Sequence, residues 1–334
     1  MGKVNIGAKM NENSIKIDWL RLSFNSTAWG AIAELFGQPE RWEQSGHYNR
    51  THAYTPIEGC LIAVDEIPHH DYMPPSRFTV NMSGNGIGHF FEHNPSLDIT
   101  SFCQLMLTLD GCKINRLDIA YDDYQELLNI YIMHIMARGG ENVVTRWRKA
   151  TMVMSGKIGE DDQDGETLYL GNRQSDSFLR VYDKRAQELA RGANIEALPT
   201  NWVRCELELK GKVADAVGRD LVGQSFNPSA MVGLLRSKID FHQEGEGRPQ
   251  RRPLSGWWEQ FTRGLEQRPI GIAKPVQSIE RKSKWVTDSV APTLALLMEA
   301  HKGDMEWLIE VLKDGGERLT PNDRKLLDGL SHGS

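Results

Sequence analysis

Three segments of this chain share one pattern: RLDIAYDD, FLRVYDKR and VRCELELK. Each alternates between apolar and charged side chains. A period of two marks a β-strand, because successive side chains leave opposite faces of the pleat. In the first segment Arg116, Asp118, Ala120 and Asp122 share a face, opposed by Leu117, Ile119 and Tyr121. In the second, Phe178, Arg180, Tyr182 and Lys184 oppose Leu179 and Val181. In the third, Arg204, Glu206, Glu208 and Lys210 oppose Val203, Cys205, Leu207 and Leu209. Strands of this kind bury one side only, which selects an antiparallel sheet covered on a single face.

The remaining elements fit that frame. Residues 15–24 (IKIDWLRLSF) read as a strand, and 27–37 as a short helix ended by Gly37. Residues 41–67 read as strands joined by turns, and 77–82 as a strand before SGNGIG, which is expected to form a tight turn. Helices are predicted over 99–109, over LLNIYIMHIMARGG with its glycine stop, and over KVADAVGRDLVG. A hairpin with an acidic connection joins TMVMSGKIG to TLYLGNR. No internal repeat of fixed period is visible. The predicted class is α+β with a mainly antiparallel sheet. EGEGRPQRRPLSG reads as a boundary, dividing a domain at 1–244 from a basic linker and helical region at 245–334.

The net charge of −6 does not advertise a nucleic-acid binder, but charge is segregated. Residues 236–284 carry 11 Lys and Arg against 6 Asp and Glu, whereas 160–166 are acidic. Trp257, Trp258, Arg251, Arg252, Arg263 and Lys274 could contact phosphates and stack on bases, or simply pack and solvate a surface. Cys60, Cys103, Cys112 and Cys205 lack zinc or disulfide spacing, which fits a reducing compartment. The first residues carry no apolar signal core and no run reaches membrane-spanning length, so the expected location is cytoplasmic, with no membrane partner.

A face mixing carboxylates, cations and a phenol suits phosphate chemistry. Hard divalent ions such as Mg²⁺ or Mn²⁺ bind oxygen ligands and polarise phosphate. Arginine and lysine neutralise the remaining phosphate oxygens. A phenol held among cations can serve as a nucleophile. Cross-strand ion pairs on a solvated face would explain one such strand, but less readily three.

These segments resemble the Rep_trans family of replication initiation factors. IDWLRLSF is similar to the family's opening strand, FTVNMSGNG to its Ser-Gly-x-Gly turn, and RLDIAYDD to its Arg-x-Asp-x-Ala-x-Asp-Asp strand. GETLYLGNRQSDSFLRVYDK and NWVRCELELK complete the match, over about residues 15–212. The resemblance implies a saddle-like, duplicated sheet related to the TATA-binding-protein arrangement, with helices on one face. It implies rolling-circle initiation in a bacterial cytoplasm: Tyr182 attacks origin DNA, leaving a 5′-phosphotyrosine and a free 3′-hydroxyl. Asp118, Asp122, Glu206 and Glu208 would form the metal-ligand pool for Mg²⁺ or Mn²⁺. Arg180 and Lys184 would assist catalysis, with Arg116, Arg173, Ser175, Arg204, Lys210, Arg251 and Arg252 as DNA contacts. A host helicase and a second copy of the chain are the implied partners. The family often has Glu before the lysine, where this chain has Asp183, which alternation points to the other face.

Other readings remain open at this level. A relaxase of a conjugative element shares the chemistry. A non-catalytic DNA-binding regulator explains the cations but not the acids beside them. No His-hydrophobic-His triplet is present, although His89 and His93 could align on a helix as a metal pair. SGNGIG lacks the lysine and spacing of a phosphate loop.

Overall fold

The computed structural model describes residues 13–39, 41–44, 46, 50–66, 74–156, 163–263, 283, 286–319, 324 and 327. His69, His70, Lys274 and positions 160–162 of the acidic connection lie outside them. The strands are β1 (Ser14–Asn25), β2 (Glu43–Gln44), β3 (His52–Ile57), β4 (Cys60–Val64), β5 (Arg77–Ser83) and β6 (Lys113–Asp123). They continue with β7 (Val143–Thr145), β8 (Ala150–Gly156), β9 (Gln163–Leu170), β10 (Ser177–Asp183), β11 (Val203–Lys210) and β12 (Ile239–Phe241). Ten of them make one antiparallel sheet in the order β2-β3-β4-β5-β1-β6-β11-β10-β9-β8, and β7 pairs with β12.

That order is a duplication. β1 and β6 lie side by side at the centre. Each is followed by a helix, α1 (Trp29–Phe36) or α4 (Ile130–Gly139), before the chain reappears at the far edge. It then steps inward strand by strand until β5 lies beside β1 and β11 beside β6. Each half closes with a helix laid on its own strands: α2 (Gly84–His93) against β1 and β5, and α6 (Gly211–Gly223) against β6 and β11. α3 (Ile99–Thr108) joins the two halves. The α+β class and the doubled antiparallel sheet are therefore as the sequence and its resemblance implied.

The apolar faces read from the alternation build the core. Leu117, Ile119, Leu179, Val181, Leu207 and Leu209 are all fully buried, together with Leu20, Leu22, Ile62 and Val80 from the first half. Each contributes about 1.5–3 kcal/mol by leaving water. α4 lies over β8 and β9 and ends at Gly140, which takes the left-handed φ of +73° that a helix stop favours.

SGNGIG is not a tight turn. Ser83 caps α2, its hydroxyl accepting from the Gly86 N–H at 3.3 Å, and the glycines form the first helical turn. Glycine disfavours a helix by up to about 1 kcal/mol per residue, but packing overrides that preference here. A Cβ at Gly86 would stand 2.1 Å from the Gly59 carbonyl oxygen, so only glycine lets α2 approach the β3–β4 turn.

The chain divides into compact units at Met1–Ile272 and Ala273–Ser334. The compositional boundary at 244/245 thus falls inside the first unit. The physical reason is Trp258 on α8 (Gly256–Phe261), which is fully buried and donates from Nε1 to Asp240 Oδ1 at 2.8 Å. Asp240 also accepts from Arg236 on α7 (Pro228–Lys238). The second unit holds α9 (Ala291–Ala300) and α10 (Met305–Glu317), the helix pair expected from sequence, with Asp304 capping α10. No helix among the described residues is long and apolar enough to cross a membrane.

Candidate active site

The charged faces of β6, β11 and β10 are brought into register by the second half of the sheet. Asp122, Arg204 and Tyr182 form one cross-strand row; Ala120, Glu206 and Arg180 form the next; Asp118, Glu208 and Phe178 the third; Arg116 and Lys210 the last. Residues scattered over 95 positions of sequence thereby share one surface.

Tyr182 stands in the first of these rows. The ring is only 4% exposed, yet it lies on the polar side, and its hydroxyl donates to Glu206 Oε2 at 3.1 Å. Arg180 donates to the other oxygen, Oε1, at 2.6 Å, and its Cζ sits 4.7 Å from the Tyr182 ring centroid. Burial pushes the phenol well above its ordinary pKa and Glu206 adds to this, while Arg204 and Arg180 pull the other way. The two arginines alone therefore do not generate a phenolate. The group that accepts the phenol's hydrogen bond is Glu206.

The carboxylates are individually committed. Arg204, nearly fully buried, donates from Nε and Nη2 to both Asp122 oxygens at 2.7 and 2.9 Å and from Nη1 to Asp18 at 2.8 Å. Trp202 Nε1 also donates to Asp122 Oδ1, at 2.8 Å. Both Asp122 oxygens thus face fixed donors, which anchor it to Arg204 and Trp202. Arg204 is buried and braces the β1, β6 and β11 strands through these pairs. Burial works against its charge, but Asp122 and Asp18 hold it firmly protonated.

Arg116 bridges Asp118 and Glu208, with Nη2 at 2.7 Å from Glu208 Oε2, and lies 4.4 Å over the Trp19 ring. Lys210 pairs with the second Glu208 oxygen. Burial pushes Asp118 up to about 7; Arg116 opposes this, and Glu206 and Glu208 add to it. Lys184, buried beside Trp202, bonds Gln187 and Glu188 on α5 (Lys184–Ala190), and burial lowers its pKa. Asp183, as alternation required, leaves this face and caps α5 through the Ala186 N–H.

An open cavity of about 280 Å³ reaches Glu206, the partner of the Tyr182 hydroxyl. Arg116, Arg173, Arg180 and Lys210 line it with Phe178, Glu206 and Glu208, so cations dominate its wall. No group of three or more His, Cys, Asp or Glu among the described residues is arranged as a ready metal cage. Mg²⁺ needs no such cage: it is commonly held by one or two carboxylates plus water and substrate phosphate. Glu208 faces the cavity and would take that mode by exchanging Arg116 or Lys210 for the ion, whereas Glu206 has its oxygens on Tyr182 and Arg180, and Asp118 lies beneath Arg116.

Ser175 is exposed in the β9–β10 turn near Arg173, whose backbone carbonyl accepts from Lys210. Arg251 is exposed, but Arg252 is tied to the Asn142 side chain and to the carbonyls of Glu141 and Gly247, bracing its own loop. His89 and His93 do share α2, where each Nδ1 contacts a backbone carbonyl. Sequence reasoning missed Asp18, Trp19, Trp202 and Tyr169, which join this surface through cross-strand register, a property alternation within one strand does not carry.

The replication initiation factor family model matches residues 112–312, more than half the chain and every strand of this site. The chain belongs to that family. Similar proteins include a putative DNA relaxase, NicK, of Bacillus subtilis (strain 168), 25% identical over 223 residues. That match covers 65% of this chain and 62% of the relaxase, so it leaves more than a third of the relative's length unmatched. A replication initiation protein of Staphylococcus aureus is 33% identical over 100 residues, 30% of this chain and 27% of that protein. Among solved structures, the rolling circle replication initiator protein from Geobacillus stearothermophilus superposes with a TM-score of 0.62 at 22% identity. It covers 79% of this chain and 100% of its own, and it supports the fold described above. In this family member the β6–β11–β10 face is the candidate catalytic surface.

Proposed function

We propose that the protein is a rolling-circle replication initiator that nicks and rejoins one strand of origin DNA with Tyr182 as nucleophile. The observation that carries this reading is the Tyr182 hydroxyl hydrogen-bonded to Glu206 beside a cation-lined cavity. The phenolic oxygen forms a bond to the scissile phosphorus as the bond from phosphorus to the 3′-oxygen breaks. The phenol's proton passes to Glu206 and is relayed through water to the departing oxygen, which becomes the 3′-hydroxyl. The result is a 5′-phosphotyrosine that a 3′-hydroxyl can later attack in reverse.

Arg180 orients Glu206 and, with Arg116, Arg173 and Lys210, offers charge-assisted hydrogen bonds to the phosphates. Lys184 adds positive charge 6.0 Å from the Tyr182 ring centroid. A Mg²⁺ or Mn²⁺ ion held by Glu208 together with substrate phosphate and water would supply Lewis-acid polarisation of phosphate. A host helicase would open the duplex, and a second copy could close the circle. The similarity to a relaxase favours one further reading, the same chemistry serving transfer of a conjugative element.

The test is incubation with the protein's own supercoiled replicon and Mg²⁺ or Mn²⁺, followed by denaturing gels and peptide mapping. A covalent adduct at Tyr182 is expected. Nicking by the Tyr182→Phe protein would overturn the proposal. A mating assay separates transfer from replication.

A further inference from the structure

Two aromatic rings interrupt the otherwise charged face. Tyr169 on β9 and Phe178 on β10 stack with centroids 5.6 Å apart and planes 19° from parallel. Tyr169 is the cross-strand neighbour of Arg180, and Phe178 that of Glu208, so both rings belong to the polar side. The hydrophobic core does not require them there. Arg173 covers them, its Cζ 4.5 Å from the Tyr169 centroid and 6.0 Å from that of Phe178. Among the described residues the Arg173 guanidinium has no carboxylate partner; the exposed side chain rests on the rings alone. Phe178 and Arg173 also border the cation-lined cavity.

We propose that the Tyr169–Phe178 pair is a stacking seat for one unpaired nucleobase of single-stranded DNA, with Arg173 as its displaceable cover. This deepens the nicking reading and rests on it. A flat guanidinium and a flat base compete for one π-face. A backbone phosphate entering the cavity offers Arg173 a bidentate partner that the rings cannot match. Its departure uncovers the stack for the adjoining base, so phosphate capture and base seating are one event. Phe178 and Tyr182 lie four residues apart on the same face, roughly 13 Å at the strand rise. The seated base is therefore a neighbour of the scissile step, not the step itself. Stacking accepts any base, so the seat adds affinity and alignment more than sequence preference.

The experiment uses Tyr182→Phe protein, which cannot cleave, and fluorescence anisotropy with a labelled single-stranded oligonucleotide from its own replicon. Each nucleotide in turn is replaced by an abasic residue. One position should lose affinity by roughly 5- to 100-fold. Adding Tyr169→Leu should erase that position's effect alone, while Tyr169→Phe, which keeps the ring, should preserve it. Arg173→Ala should reduce the salt dependence yet leave the abasic effect in place. A flat profile, or one that Tyr169→Leu leaves unchanged, overturns the proposal. Because binding is read without cleavage, a stacking position found where no Tyr182 adduct forms would sink the nicking reading alone. A Tyr182 adduct with a flat abasic profile would sink the seat alone.

Discussion

The two halves of the large sheet follow one plan, yet they fill the side opposite the core with different residues. In the second half, β10, β11 and β6 display Arg180, Tyr182, Glu206, Glu208, Arg116 and Asp118. The counterparts in the first half are β4, β5 and β1. β4 offers only Leu61 and Ala63 on that side, opposite Asn81 and Thr79 of β5. Asn81 is spent on neighbours: its Oδ1 accepts from Trp19 Nε1 at 2.7 Å and Arg21 Nε at 3.2 Å. The difference teaches that the doubled sheet is a support, and that chemistry depends on which side chains one half places across its central strands. The first half still reaches the site, through Asp18 under Arg204 and Trp19 under Arg116.

The comparison breaks most clearly at the nucleophile. Tyr182→Phe should lower nicking by a factor on the order of 10⁴ or more while origin binding persists, as gel cleavage and anisotropy would show. Chelation by EDTA should stop nicking and leave the melting temperature unchanged, because no prebuilt metal cage supports the described fold. Glu206→Gln should slow single-turnover nicking by about 10²–10⁴-fold, the usual worth of a general base. Asn81→Ala, on the matching strand of the first half, should instead cost about 1–3 kcal/mol of stability, read by urea unfolding, with nicking per folded molecule little altered. Equal losses of nicking in these two variants would erase the functional asymmetry.

The smallest effect concerns Asp118. Its folded-state pKa of about 7 lies above the ordinary 3.8, so the folded form binds this proton more tightly than the unfolded chain does. That contribution to stability is full below about pH 4 and is lost as pH rises through about 7. In Asp118→Asn the decline in melting temperature between pH 5 and 8 should flatten by a few degrees, on the order expected for a change of about 1 kcal/mol.

Alternation made the faces of β6, β10 and β11 legible before any coordinates, down to Asp183 turning away from the site. It could not show which acid meets which cation. Asp122 entered the metal-ligand pool through the family resemblance, and only the register shows that Arg204 stands directly opposite it. The duplication was legible only through family resemblance, since the two halves keep strand order while filling their faces with different residues. SGNGIG was misread because glycine propensity speaks for turns, and nothing local reveals that Gly86 meets Gly59. Lys184 and Tyr182 were recognised as a pair, but their burial depended on Trp202 and α5 closing over them.

Trp258 bears on how this protein can be shortened. Its indole closes the space over β12 and supplies a donor to Asp240. A recombinant fragment trimmed after residue 244 would carry a void of indole size, comparable to a Trp→Ala truncation costing about 3–5 kcal/mol. Such a fragment would be poorly soluble and prone to degradation, whereas one extended through Arg263 would keep the indole packed against β12.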